Sequence, residues 1–111
     1  MYKELGNFQK EKVYQDALRF GLAKLGFKVD KEKRIDIHYQ GQKVGTYIPD
    51  MIVNDSIIIE LKAKPVLTKD DTTQFWHYLR NSKYKLGLLI NFGSPNKVQI
   101  LRRVYDTART K

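Results

Sequence analysis

At 111 residues, 41% of them hydrophobic and 12% aromatic, the chain has material for one compact core and little room for a second. Cysteine is absent, which excludes disulfides and thiolate metal sites; with only two histidines, oxygen donors and hard cations such as Mg²⁺ or Mn²⁺ are the better expectation. A formal net charge of +9 favours a polyanionic partner, because cationic side chains displace counterions from phosphates.

Residues 8–25 read as an amphipathic helix. Val13, Ala17, Phe20, Leu22 and Leu25 recur at near-helical spacing between Lys10, Lys12, Asp16, Arg19 and Lys24, and Gly26 stands where a C-terminal cap belongs. Residues 34–39 alternate Ile35 and Ile37 with polar neighbours, as a strand does, and Gln40-Gly41 is a tight turn. A second strand is expected over 43–53, bent or at an edge because of Pro49. Asn54-Asp55 then turns the chain into a third, isoleucine-rich strand over 56–63.

Thr68 is the expected N-cap of a second helix reaching about Asn81, with Asp70 and Asp71 in its first turn. Residues 86–91 form a buried strand, Val98, Ile100 and Leu101 a last one, and a basic tail follows from Arg102. No apolar run is long enough to span a bilayer, and no apolar leader follows Met1, so no membrane partner and a cytoplasmic location are expected. The order α-β-β-β-α-β with an extra C-terminal strand predicts an α/β fold, a mixed sheet flanked by helices. One domain is expected over 1–111, with its core at about 5–101 and the tail at 102–111.

The chemistry concentrates in Pro49-Asp50 and Glu60-Leu61-Lys62. Alternate strand residues share a face, so Glu60 and Lys62 point one way with Ile58, while Ile57, Ile59 and Leu61 point the other. A lone Glu-x-Lys is most often a surface ion pair. Here the Asn54-Asp55 turn brings Asp50 back opposite or diagonal to Glu60, where two carboxylates can share a divalent cation beside an ammonium group. Glu11 lies on one helical face with Tyr14 and can supply a third carboxylate; Gln74 and Tyr78 share a face of the second helix.

Taken together these residues resemble the PD-(D/E)XK nuclease superfamily with its restriction-endonuclease-like core. The stretch Gln74-Phe75-Trp76-His77-Tyr78 is similar to the Q-x-x-x-Y motif of its RecB-like members. The chain is more closely similar to the small GxxExxY proteins of that superfamily, through Leu5-Gly6, Glu11-Lys12-Val13-Tyr14, Gly45-Thr46-Tyr47-Ile48-Pro49-Asp50, Ile59-Glu60-Leu61-Lys62-Ala63 and the segment from Leu86 to Gly93. Phe8 stands where the GxxExxY glycine is expected. The resemblance implies a Mg²⁺- or Mn²⁺-dependent nuclease, with DNA ahead of RNA as substrate. Asp50 and Glu60 would be metal ligands, the Leu61 carbonyl and Glu11 would complete the shell, Lys62 would assist the water, and Gln74 would orient Lys62 or the scissile phosphate.

Lys64, Lys69 and Arg34, with Lys31 and Lys33, are candidate phosphate contacts, and Tyr78 and Tyr14 candidate contacts to nucleic acid. Arg102, Arg103, Arg109 and Lys111 are either a DNA-binding tail or solubility charge. His38 and His77 read as ordinary surface histidines, Phe75 and Trp76 as core. A homodimer is a natural expectation for so small a nuclease. The competing readings are a catalytically inactive nucleic-acid-binding module that keeps the fold, and a subunit acting only inside a larger complex.

Overall fold

The computed structural model describes residues 10–94 and 97–105. The expected helix start at Phe8, the Leu5-Gly6 stretch, and Arg109 and Lys111 fall outside the described residues.

Helix α1 is Glu11–Lys24. It ends where the sequence places the cap. Gly26 adopts φ 94°, a conformation costly for a residue with a side chain, and this lets Phe27 N–H reach the Leu22 carbonyl at 3.1 Å and Gly26 N–H the Ala23 carbonyl at 3.0 Å. The inward stripe differs from the expected one. Tyr14 is buried and Leu18 and Leu22 pack behind it, whereas Phe20 and Leu25 stay about three-quarters exposed. Tyr14 decides the rotation, because its ring stacks on Phe92 at 4.6 Å.

The strands are β1 (Val29–Asp30), β2 (Ile35–Tyr39), β3 (Gln42–Tyr47), β4 (Met51–Val53), β5 (Ile57–Lys62), β6 (Leu86–Asn91) and β7 (Gln99–Val104), with helix α2 (Lys69–Arg80) between β5 and β6. Five of them form a mixed sheet in the order β1-β4-β5-β6-β7, in which β5 and β6 are parallel and the other pairs antiparallel. Helix α2 is the crossover that a parallel pair requires. Its N-terminus is a capping box: Thr68 Oγ1 accepts from Asp71 N–H at 3.2 Å, and Asp71 Oδ2 accepts from Thr68 N–H at 2.9 Å.

Two expectations change, and one strand appears that was not expected. The strand expected over 43–53 breaks at Ile48-Pro49-Asp50, since proline lacks the N–H a ladder needs; its first half joins β2 in a separate two-stranded sheet and its second half is β4 in the main sheet. Strand β1 escapes sequence patterning because it is two residues long. The last strand continues to Val104, so Arg102 and Arg103 are ladder residues opposite Leu88 and Gly87 rather than tail.

Each face of the main sheet carries a core. On one, Met51, Val53, Ile59, Leu61 and Ile90 pack with Tyr14 and Phe92 under α1. On the other, Ile52, Ile58 and Leu89 pack with Phe75 and Leu79 of α2 and with Tyr47 and Tyr84. These burials fix the register in which β4 and β5 meet, and with it the placement of Asp50 against Glu60. Among the described residues no helix is long and apolar enough to cross a membrane.

Candidate active site

Met51 pairs with Ile59 across β4 and β5, so Asp50, one residue before β4, lies against Glu60 at the end of the ladder. Its backbone N–H donates to Glu60 Oε1 at 2.9 Å. Its own carboxylate accepts from Leu61 N–H at 2.7 Å and from Gln15 Nε2 at 2.9 Å. Gln15 Nε2 also lies 3.5 Å from Glu11 Oε1, so one amide links the first acid of α1 to Asp50. Sequence reasoning missed Gln15. The available signal was its position, one turn after Glu11 on the same helical face.

Burial first, and this crowding second, set the electrostatics. Glu60 is pushed up to about 7, first by burial and then by the Asp50 charge; the Asp50 N–H, the Tyr47 hydroxyl and Lys62 pull the other way. Asp50 is raised by burial, against the Leu61 N–H and Lys62. Glu11 is raised by burial and by Asp50, and lowered by Lys62 and Gln15. Three half-buried or buried carboxylates are thus all harder to ionise than usual, and Lys62 is the cation that acts on all three. Such a cluster is short of positive charge.

Lys62 and Glu60 also line a narrow cleft with Asp71, Gln74, Phe75 and Tyr78. The Gln74 and Tyr78 pair therefore stands beside the Glu-x-Lys strand, with Gln74 Nε2 3.5 Å from Tyr78 Oη. Tyr78 stacks face to face on Tyr47, with ring centroids 4.1 Å apart. On its other side Asp50 borders a cleft of ≈ 170 Å³ lined by Lys12, Gln15, Arg19, Lys31 and Ile48 among others. Lys12 and Arg19 are each held by Asp16 at 3.2 Å. A hollow of ≈ 310 Å³ between Trp76 and Arg103 contains no member of the acidic cluster.

Other expected contacts fare differently. Tyr14 is fully buried in the α1 core, so it cannot touch nucleic acid; its place in the motif is a packing role. Lys64 is not a free phosphate contact, because its ammonium bonds both Asp71 oxygens at 2.8 Å. That pairing, with the Thr68 N–H, holds Asp71 down at about 2. Lys69 is exposed at the start of α2. Arg34 is exposed in a different hollow, with Asn81, Ser82 and Tyr84, away from the acids. His38 and His77 are exposed and border neither cleft. Phe75 is core, and Trp76 packs edge-on to Tyr105.

Among the described residues no three aspartate, glutamate or histidine side chains already stand as a metal-binding group. Asp50 and Glu60 instead have oxygens engaged by N–H donors. The donor set nevertheless fits a hard divalent cation: all oxygen, crowded and under-compensated in charge.

A family model described as the PD-(D/E)XK nuclease superfamily matches residues 1–104. The crystal structure of SSO0001 is similar in fold, with a TM-score of 0.53 at 20% sequence identity, over 92% of this chain and 57% of that one. The chain thus spans little more than half the length of that protein. No curated protein matches the chain.

Proposed function

The chain belongs to the PD-(D/E)XK nuclease superfamily, and from that premise we propose that it hydrolyses phosphodiester bonds of nucleic acid, DNA ahead of RNA, with Mg²⁺ or Mn²⁺ as cofactor. The observation that carries this reading is the gathering of Asp50, Glu60 and Glu11, linked through the Asp50 N–H and Gln15 and all raised in pKa, with Lys62 acting on each of them.

In this reading Asp50 and Glu60 hold the cation, with Glu11 and the Leu61 carbonyl completing its surroundings. The bound ion supplies Lewis-acid polarisation of phosphate and water. The remaining work falls to side chains. Lys62 sits next along the strand face from Glu60, where its ammonium stabilises negative charge developing on the phosphoryl oxygens and orients the attacking water. Gln74, across the narrow cleft, orients Lys62 or the phosphate. Tyr78, fixed by its stack on Tyr47, presents a hydroxyl to the substrate strand. Lys31 and Lys69 contact flanking phosphates. Residues 1–111 act as one domain, and a homodimer with each copy cutting one strand suits a duplex substrate. The narrower likeness to GxxExxY proteins rests on the sequence motifs.

The test is cleavage of plasmid or branched DNA, and of RNA, with Mg²⁺, Mn²⁺ or chelator. Wild type should cut only with metal. Asp50→Asn and Lys62→Met should each lower the rate by ~10²-fold or more, and Lys62→Met should still bind Mn²⁺. Binding without cleavage in any metal would replace the enzyme by the binding module.

A further inference from the structure

Tyr47 closes β3 three residues before Asp50 and is 6% exposed. Its ring is clamped on Tyr78 at 4.1 Å with the planes 4° apart. Its hydroxyl is buried and has no hydrogen-bond partner. A buried donor without a partner is rare and unfavourable, and one that stands beside a functional carboxylate calls for an explanation. The group this phenol faces is the Glu60 carboxylate, an acceptor for its O–H. Glu60 has Oε1 engaged by the Asp50 N–H. The two groups face each other closely enough to interact, at a geometry short of a well-formed hydrogen bond.

We propose that Tyr47 is a positioning residue whose hydroxyl donates to Glu60 when the cation is bound, fixing the orientation in which Glu60 meets it. This rests on the metal-dependent reading above. The stack that holds Tyr47 is the one that holds Tyr78, so helix α2 and the acidic cluster are braced by the same pair of rings. Partners standing behind a metal-binding carboxylate fix its rotamer, and their loss weakens metal binding without touching the ion directly.

Tyr47→Phe removes one oxygen and keeps the stack. Calorimetric titration of Mn²⁺ into metal-free wild type, Tyr47→Phe and Asp50→Asn, with thermal unfolding of each, tests the proposal. Tyr47→Phe should bind Mn²⁺ about 10-fold or more weakly, while its metal-free Tm equals or exceeds that of wild type, because an unpartnered buried hydroxyl has been removed. Asp50→Asn should bind none. An affinity within about twofold of wild type would overturn the role of Tyr47 and leave the metal reading standing. A fall in affinity accompanied by a lower Tm would also overturn it, as the mark of a purely structural residue. Folded wild type that takes up no Mn²⁺ would overturn the metal reading and Tyr47 with it.

Discussion

The backbone N–H of Asp50 donates to Glu60 Oε1 at 2.9 Å, so the main chain of one acid holds the side chain of the other. Asp50 is itself held, by Leu61 N–H at 2.7 Å and Gln15 Nε2 at 2.9 Å. Its carboxylate is therefore a structural acceptor as well as a candidate ligand, and two substitutions separate the roles. Asp50→Asn keeps an oxygen for Leu61 and removes a charge that burial disfavours, so metal-free stability should equal or exceed wild type. Asp50→Ala leaves a half-buried N–H unpaired and should cost about 1–3 kcal/mol. Urea unfolding of both variants checks this; an asparagine variant no more stable than the alanine one would refute it.

The Glu60 pKa sets a pH dependence whose sign is unusual for an acid. Folded Glu60 keeps its proton up to about 7, against 4.5 for a free side chain. Between those values the folded state binds more protons than the unfolded chain, so metal-free stability falls as pH rises through this window and levels off above it, by about 3 kcal/mol at most. Asp50 and Glu11 shift in the same direction. Asp71, held down at about 2, contributes stability that is complete by pH 5 and constant above. Urea midpoints at pH 5 and pH 8 should differ in wild type and differ much less in Glu60→Gln. Mg²⁺ should restore stability at pH 8 by binding the ionised form. Equal slopes in the two proteins would contradict the raised Glu60.

Local chemistry made much of this legible. Gly26 and Thr68 mark helix ends by mechanisms contained within a few residues, and Asn54 and Asp55 tolerate the φ of 52° that their turn requires. Strand alternation places Glu60 and Lys62 on one side with no knowledge of the rest of the chain. What stayed hidden depends on distant partners. Helix α1 offers two apolar stripes, one through Val13, Ala17 and Phe20 and one through Tyr14, Leu18 and Leu22; only the sheet and Phe92 choose between them. Lys64 is like any other basic residue until Asp71 is brought beside it. Gln15 meets Asp50 across 35 residues of sequence.

Asn91 is a second such case. It is fully buried at the end of β6, opposite Lys62. Its Nδ2 donates to the Lys64 and Gln99 side of the site, reaching Lys64 O and Gln99 Oε1 at 2.8 Å each, and its Oδ1 accepts from Lys64 N–H at 2.9 Å. The chain leaving Lys62 is thereby pinned to β6 and β7. The neighbouring backbone is equally tight, since a Cβ on Gly93 would collide with the Lys64 backbone. Asn91→Leu keeps the volume but leaves the Lys64 amide without its partners, and should cost about 2–4 kcal/mol in urea unfolding. Cleavage should fall along with stability, because Lys62 loses its anchored exit. A variant of wild-type stability would show that the Lys64 amide has another partner.

Charge placement, rather than total charge, should govern binding. Lys31 is exposed and borders the same cleft as Asp50, and among the described residues it forms no ion pair; Arg34 is equally exposed but occupies a hollow without any of the three acids. Both were equivalent candidates by sequence. Each phosphate neutralised contributes about −0.9 to the slope of log K against log salt on duplex DNA, independent of base sequence. With Asp50→Asn as the background, to prevent cutting, Lys31→Ala should weaken binding to a short duplex uniformly across sequences and reduce that slope by about 1. Arg34→Ala should leave both unchanged. Fluorescence anisotropy across a salt series measures the two slopes side by side. Equal losses in both variants would mean that the duplex does not follow the cleft beside Asp50, and that only the overall positive field draws it to the protein.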